Sequence, residues 1–153
     1  MRVGCHLLKA ERFAATAESC TGGWIAKALT DIAGSSGWFA EGFVTYSNDA
    51  KVRGLGVPRG VLETNGAVSQ ATAKAMALGA LKRSRAQIAV AVTGIAGPGG
   101  AVPGKPVGTV WLAWAVKRSR SIQVTAELKR FKGDRGTVRR KTVRAALLGL
   151  LSR

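Results

Sequence analysis

Apolar positions recur along the chain with two periods, and each period predicts one kind of element. Arg12 to Ala17 is a compact run suited to a short buried strand. Thr21-Gly22-Gly23 then opens a stretch in which Trp24, Ile25, Ala28, Leu29 and Ile32 share a helical face, and Gly34 ends it. Trp38 to Tyr46 returns to β-branched and aromatic residues as a second strand, followed by a polar turn at Ser47-Asn48-Asp49 with Lys51 just beyond. Pro58 and Gly60 mark a linker with one helical turn. Ser69 stands where an N-cap is expected, ahead of a helix carrying Ala71, Ala75, Leu78 and Leu81 on one face and stopping near Lys82–Arg85.

Ala86 to Thr93 is almost wholly Ile, Ala and Val, the composition of a strand buried on both faces, and it runs into Gly94-Ile95-Ala96-Gly97-Pro98-Gly99-Gly100. Ligand sites favour that end of such strands. Val107 to Val116 and Ile122 to Phe131 are spaced to pair as an antiparallel hairpin through Lys117–Ser121. Asp134 is the expected N-cap of a last helix, with Val138, Val143, Ala146, Leu147 and Leu150 inward and Arg139, Arg140, Lys141 and Arg144 mostly toward water. This order predicts an α/β fold, a three-layer α/β/α sandwich with a mixed central sheet.

Composition narrows the class. A chain of 153 residues with 46% apolar and 21% charged residues is expected to fold as a single domain, residues 1–153. It contains no apolar run of roughly 18 residues, so no membrane partner and a cytoplasmic location are expected. Two cysteines and one histidine exclude a disulfide framework and most zinc arrangements, so no metal and no cofactor are expected. The 24 Lys and Arg against 8 Asp and Glu give a net charge of +16, which attracts nucleic acid, acidic surfaces or anionic small molecules. The clusters at Lys82–Arg85, Lys117–Arg120 and Lys129–Arg144 read first as solvated surface.

Amide hydrolysis needs a nucleophile, a base, donors for the oxyanion and a grip on the substrate. Glu18-Ser19-Cys20-Thr21-Gly22-Gly23 brings a hydroxyl, a thiol and two glycines to a strand-to-helix junction, where free N–H groups bind anions. The same residues also read as Thr21 capping the helix with turn glycines. A lone His6 near one end disfavours a Ser-His-Asp triad, so a serine nucleophile would use a lysine whose pKa burial has lowered, and Lys51 is best placed. On composition alone, though, a lysine is far more often a solvated surface residue. Cys20 is a rival nucleophile that also reads as a small buried hydrophobe, while Cys5 has no role. Thr93 to Gly100 can form an anion-binding nest but lacks the lysine of a Walker A loop. Trp111 and Trp114 have opposite parity on their strand and belong to the core, not to a base-stacking platform. Tyr46 either stacks on a planar ring or is structural.

Together, Ala17-Glu18-Ser19-Cys20-Thr21-Gly22-Gly23, Tyr46-Ser47-Asn48 with Lys51, Gly66-Ala67-Val68-Ser69, Ala91-Val92-Thr93-Gly94-Ile95-Ala96-Gly97-Pro98 and Lys105-Pro106-Val107-Gly108-Thr109-Val110 resemble the C-terminal domain family of the competence/damage-inducible protein CinA. The likeness runs from about residue 8 to the end. It implies a nicotinamide-nucleotide amidohydrolase that turns nicotinamide mononucleotide and water into nicotinic acid mononucleotide and ammonia, in pyridine nucleotide recycling. It further implies Ser19 as nucleophile, Lys51 as general base and then acid, and N–H groups near Thr21, Gly22 and Gly23 as oxyanion donors. Tyr46 and Thr93 would orient the amide, Asn48 and Gly94 would support it, and Arg135 would meet the phosphate. The partners expected are a small pyridine nucleotide and further copies of the chain.

Two departures stand out. The segment before Glu18 is short, which suggests a curtailed N-terminal helix, and Ala101 to Gly104 shapes its loop differently. The nucleotide-hydrolysing domain of long family members is absent from this sequence, so no pyrophosphatase activity is expected. The rival reading is a basic nucleic-acid-binding module, which the charge favours, but no reading helix or aromatic stripe accompanies it. A third is an inert scaffold that binds a nucleotide without releasing ammonia.

Overall fold

The computed structural model describes residues 2–153. Six α-helices and five strands follow one another as α1 (Arg2–Lys9), β1 (Ala14–Glu18), α2 (Trp24–Thr30), β2 (Phe39–Val44), α3 (Asn48–Leu55), α4 (Arg59–Asn65), α5 (Gln70–Arg83), β3 (Ile88–Gly94), β4 (Thr109–Lys117), β5 (Ile122–Arg130) and α6 (Arg135–Leu151). The sheet order is β2-β1-β3-β4-β5. β1 runs parallel to both neighbours, and β3, β4 and β5 are successively antiparallel. The sheet is therefore mixed, as expected. None of the described helices is long and apolar enough to cross a membrane.

The two faces of the sheet differ in side-chain size, and this sets the layers. Successive strand residues point to opposite faces. Ile88, Val90 and Val92 of β3 and Leu112, Trp114 and Val116 of β4 face one way, where they pack with Leu7, Ile25, Leu29, Val138, Ala146 and Leu150 of α1, α2 and α6. Ala89, Ala91, Ala113 and Ala115 face the other way, with Ala15 and Ala17 of β1, against α3 to α5. Alanine on that face lets α5 lie close, and α3 crosses it closely too. A Cβ added at Gly79 would collide with the Leu55 carbonyl oxygen.

The predicted caps at Ser69 and Asp134 are present, accepting from Thr72 N at 3.1 Å and Thr137 N at 2.7 Å. Three expectations need correction. The polar turn after the second strand is the first turn of α3, capped by Ser47, whose Oγ accepts from Ala50 N at 3.0 Å. An eight-residue helix carrying Asn48, Asp49, Lys51 and Arg53 has too little apolar periodicity to announce itself. The linker at Pro58 and Gly60 is α4. The buried stripe of α5 is Ala73, Met76, Ala77, Ala80 and Leu81, while Ala71, Ala75 and Leu78 are half-buried, because alanine on every side leaves the facing direction to tertiary packing. The segment before β1 is an eight-residue helix, with Leu7 buried and Gly4 against the Trp38 ring.

Candidate active site

Three strand ends meet at one edge of the sheet. The register pairs Glu18 with Val44 of β2 and Val92 of β3. The ladder continues past the strands: Thr45 N donates to Glu18 O at 2.8 Å and Ser19 N donates to Val92 O at 3.1 Å. Ser19, Thr45 and Thr93 are thereby fixed side by side by backbone bonds. Parallel strands bring their C-terminal ends together, and the residues at and just beyond those ends line the candidate site.

Lys51 lies within the first turn and a half of α3 and points back over that edge. It is 1% exposed. Its Nζ lies 3.1 Å from Ser19 Oγ, 2.8 Å from Thr45 O and 3.4 Å from Tyr46 O. Among the described residues no carboxylate pairs with it. Burial without a counter-charge disfavours the ammonium and holds the amine below its ordinary value of 10.5. Lys51 Nζ can donate to all three oxygens; once deprotonated it keeps two N–H bonds for the Thr45 and Tyr46 carbonyls and turns its lone pair to the Ser19 hydroxyl proton.

Cys20 sits beside Ser19 in an apolar pocket and is 6% exposed. Burial, with the Glu18 charge adding to it, pushes the thiol up to about 11. The thiolate is the reactive form, so the burial that lowers Lys51 favours the unreactive thiol at Cys20.

The junction between β1 and α2 is organised by Glu18, to which the sequence motif alone assigns no role. Its Oε2 accepts from Thr21 Oγ1 at 2.6 Å, Ile25 N at 2.9 Å and Gly23 N at 3.1 Å, and its Oε1 accepts from Ala26 N at 2.8 Å. The residue at the N-cap, Gly23, has φ 94° and offers no side-chain cap. Thr21 is therefore not the cap. The expected oxyanion donors also narrow, because Gly23 N–H serves Glu18 and Gly22 N–H donates to Ser19 O at 3.1 Å. The N–H groups of Cys20 and Thr21 meet no acceptor among the described residues.

Tyr46 is 62% exposed, and its hydroxyl accepts from Arg135 Nη2 at 3.1 Å. Arg135 Nη1 donates to Gly97 O at 2.8 Å, so one guanidinium ties the β2–α3 junction to the glycine-rich loop. Thr93 is buried, with its hydroxyl donating to Ala67 O at 2.8 Å. At Gly94 a Cβ would come within 2.7 Å of Val110 Cγ2, which gives this glycine a packing role between strands. Asn48 is exposed and faces α4, lining a cavity of about 200 Å³ with Val52, Arg59 and Glu63. It does not join the hydrogen bonds about Ser19.

Of the α6 basic residues expected mostly to face water, Arg140, Lys141 and Arg144 are exposed and Arg139 is half-buried. Its Nη2 donates to Thr21 O at 2.8 Å and its guanidinium lies 5.3 Å from the Trp24 ring centroid. Two features of the sequence bear on Glu18 and Arg139. A carboxylate ending the apolar run Ala14 to Ala17 must find donors if that run is buried. Arg139 lies one helical turn beyond Arg135 and shares its face.

A three-layer sandwich with a serine hydroxyl against a buried, unpaired lysine amine at its sheet edge defines an α/β protein equipped for Ser/Lys nucleophilic chemistry. The CinA C-terminal domain pattern matches residues 1–153, and the chain belongs to that family. It is similar to the nicotinamide-nucleotide amidohydrolase PncC of Pseudomonas putida, 54% identical over 150 residues that cover 98% of this chain and 91% of that protein. A CinA-like protein of Akkermansia muciniphila is 55% identical over 149 residues, 97% of this chain but 35% of that longer protein. In three dimensions the chain resembles the competence/damage inducible protein CihA of Agrobacterium tumefaciens, with a TM-score of 0.90 and 48% identity over 99% of this chain and 95% of that one.

Proposed function

We propose that the chain is a nicotinamide-nucleotide amidohydrolase, a hydrolase of the linear amide of nicotinamide mononucleotide that acts through Ser19 and Lys51. The observation that carries this reading is the buried Lys51 amine 3.1 Å from Ser19 Oγ. The relative from Pseudomonas putida, 54% identical, bears that activity in its name.

In the reaction, neutral Lys51 takes the Ser19 proton as Oγ attacks the carboxamide carbon. The Cys20 N–H, free of an acceptor in a residue 6% exposed, receives the oxyanion. Collapse breaks the C–N bond, Lys51 returns the proton to the leaving nitrogen, and ammonia departs from an acyl-Ser19 ester. Water then attacks that ester with Lys51 again as base, releasing nicotinic acid mononucleotide and restoring the serine. Tyr46 flanks the pyridine ring, Thr93 and Gly94 border the amide, and Arg135, exposed beside the glycine loop, meets the phosphate. Asn48, which faces α4, takes at most a supporting part. The protein works as one domain, in the cytoplasm, as a homo-oligomer.

The nucleic-acid reading rests on net charge alone, and charge by itself yields sequence-independent, salt-sensitive binding. Ammonia release from nicotinamide mononucleotide by the purified chain tests the proposal, with nicotinamide riboside as the control that lacks a phosphate. Turnover of the nucleotide above the riboside is expected; no ammonia from either would reject the activity.

A further inference from the structure

We propose that Glu18 is a positioning residue that holds the Ser19–Gly23 loop with its Cys20 N–H facing the reacting carbonyl. The inference rests on the hydrolytic reading above and assigns to one buried side chain the preorganisation that reading requires.

Glu18 has no exposed surface, and its carboxylate accepts hydrogen bonds from residues three to eight positions onward, across the whole nucleophile loop. A helix start is ordinarily satisfied by a Ser, Thr, Asp or Asn at the cap itself. In this chain the cap is Gly23, which has no side chain to offer, and the acceptor comes from the residue just before the nucleophile. The consequence is geometric. Because Glu18 takes the Gly23, Ile25 and Ala26 N–H groups, and Ser19 O takes that of Gly22, the loop closes as a tight turn. The Cys20 and Thr21 N–H groups at the middle of the turn carry no acceptor, and of the two residues only Cys20, 6% exposed, presents surface to a ligand.

Arg139 secures the outer side of the same turn by donating to Thr21 O at 2.8 Å. Glu18 also reaches the other half of the pair through its backbone. Its carbonyl accepts from Thr45 N, and the Thr45 carbonyl in turn accepts from Lys51 Nζ at 2.8 Å. The carboxylate itself does not touch Lys51, so its removal should disturb the donor and leave the base in place.

The test compares Glu18→Gln and Thr21→Val with the unaltered chain. Glu18→Gln keeps the shape but turns one acceptor into a donor facing N–H groups. Thr21→Val removes the 2.6 Å bond to Glu18 and leaves every backbone N–H intact. For Glu18→Gln, kcat should fall about 10²-fold, the order of an oxyanion-donor loss, with KM changed less than about threefold. The apparent pKa of the pH–rate limb should stay where it is. For Thr21→Val a kcat loss of about tenfold is expected.

A folded Glu18→Gln protein with kcat within about twofold of the unaltered chain would overturn the proposal. So would a limb that moves up toward 10.5, since that reports general loosening around Lys51. If Glu18→Gln does not fold, Thr21→Val decides by the same kcat criterion. Labelling of Ser19 by a fluorophosphonate needs the same donor but no nicotinamide. Slower labelling of the variants, in a protein that releases no ammonia from the nucleotide, would leave Glu18 positioning intact while removing the substrate. Equal labelling rates would remove the positioning role.

Discussion

Lys51 Nζ and Ser19 Oγ stand 3.1 Å apart although 32 positions separate them in the chain. Parallel pairing of β1 and β2 brings their ends together, and α3 turns Lys51 back over the pair. If the two side chains act as one unit, their losses do not add. Lys51→Met is expected to lower kcat by about 10³-fold or more, and Ser19→Ala with Lys51→Met together should be no slower than the worse single variant. Steady-state ammonia release across the four proteins checks this, and additive losses would separate the roles.

Catalysis needs Lys51 without its proton, so kcat/KM should rise with pH along a limb centred below 10.5. Stability carries the same sign. The folded chain holds this amine below its ordinary value, so between the two values the unfolded chain binds more protons and stability rises with pH. Lys51→Met should therefore stabilise the fold most at neutral and acidic pH, with the gain shrinking as pH approaches 10.5. Melting temperatures across that range are the measurement.

Cys20 is buried with its thiol pushed up to about 11. Cys20→Ala should keep kcat within about threefold, and thiol reagents should inactivate the unaltered chain slowly at neutral pH. Rapid inactivation that Cys20→Ala abolishes would restore the thiol as nucleophile.

Arg135 bonds Tyr46 Oη and Gly97 O with two different nitrogens. Arg135→Lys keeps the charge but cannot span both, so it should raise KM for the nucleotide by about tenfold with a smaller change in kcat. Titration of the product against the two proteins gives a second reading of the same loss.

Much of the fold was legible because its signals are local. The Ile, Ala and Val run of β3, the hairpin of β4 and β5, and the caps at Ser69 and Asp134 each follow from a few adjacent residues. The short α3 was hidden because polar residues fill it, and the facing direction of α5 was hidden because alanines surround it. At the site, Ser19 and Lys51 could be singled out as candidates, but their approach depends on strand order, which no local pattern encodes. Glu18 and Arg139 escaped for a related reason. Their partners are backbone atoms of a loop that exists only once the sheet and α6 are assembled.

The account turns on the Ser19 hydroxyl as the group that attacks the amide. Ammonia release from nicotinamide mononucleotide by Ser19→Ala, measured beside the unaltered chain at a pH where Lys51 is neutral, tests it most directly. A fall of about 10³-fold or more in kcat, with the fold and nucleotide binding retained, is predicted. Near-normal ammonia release by the variant would contradict it.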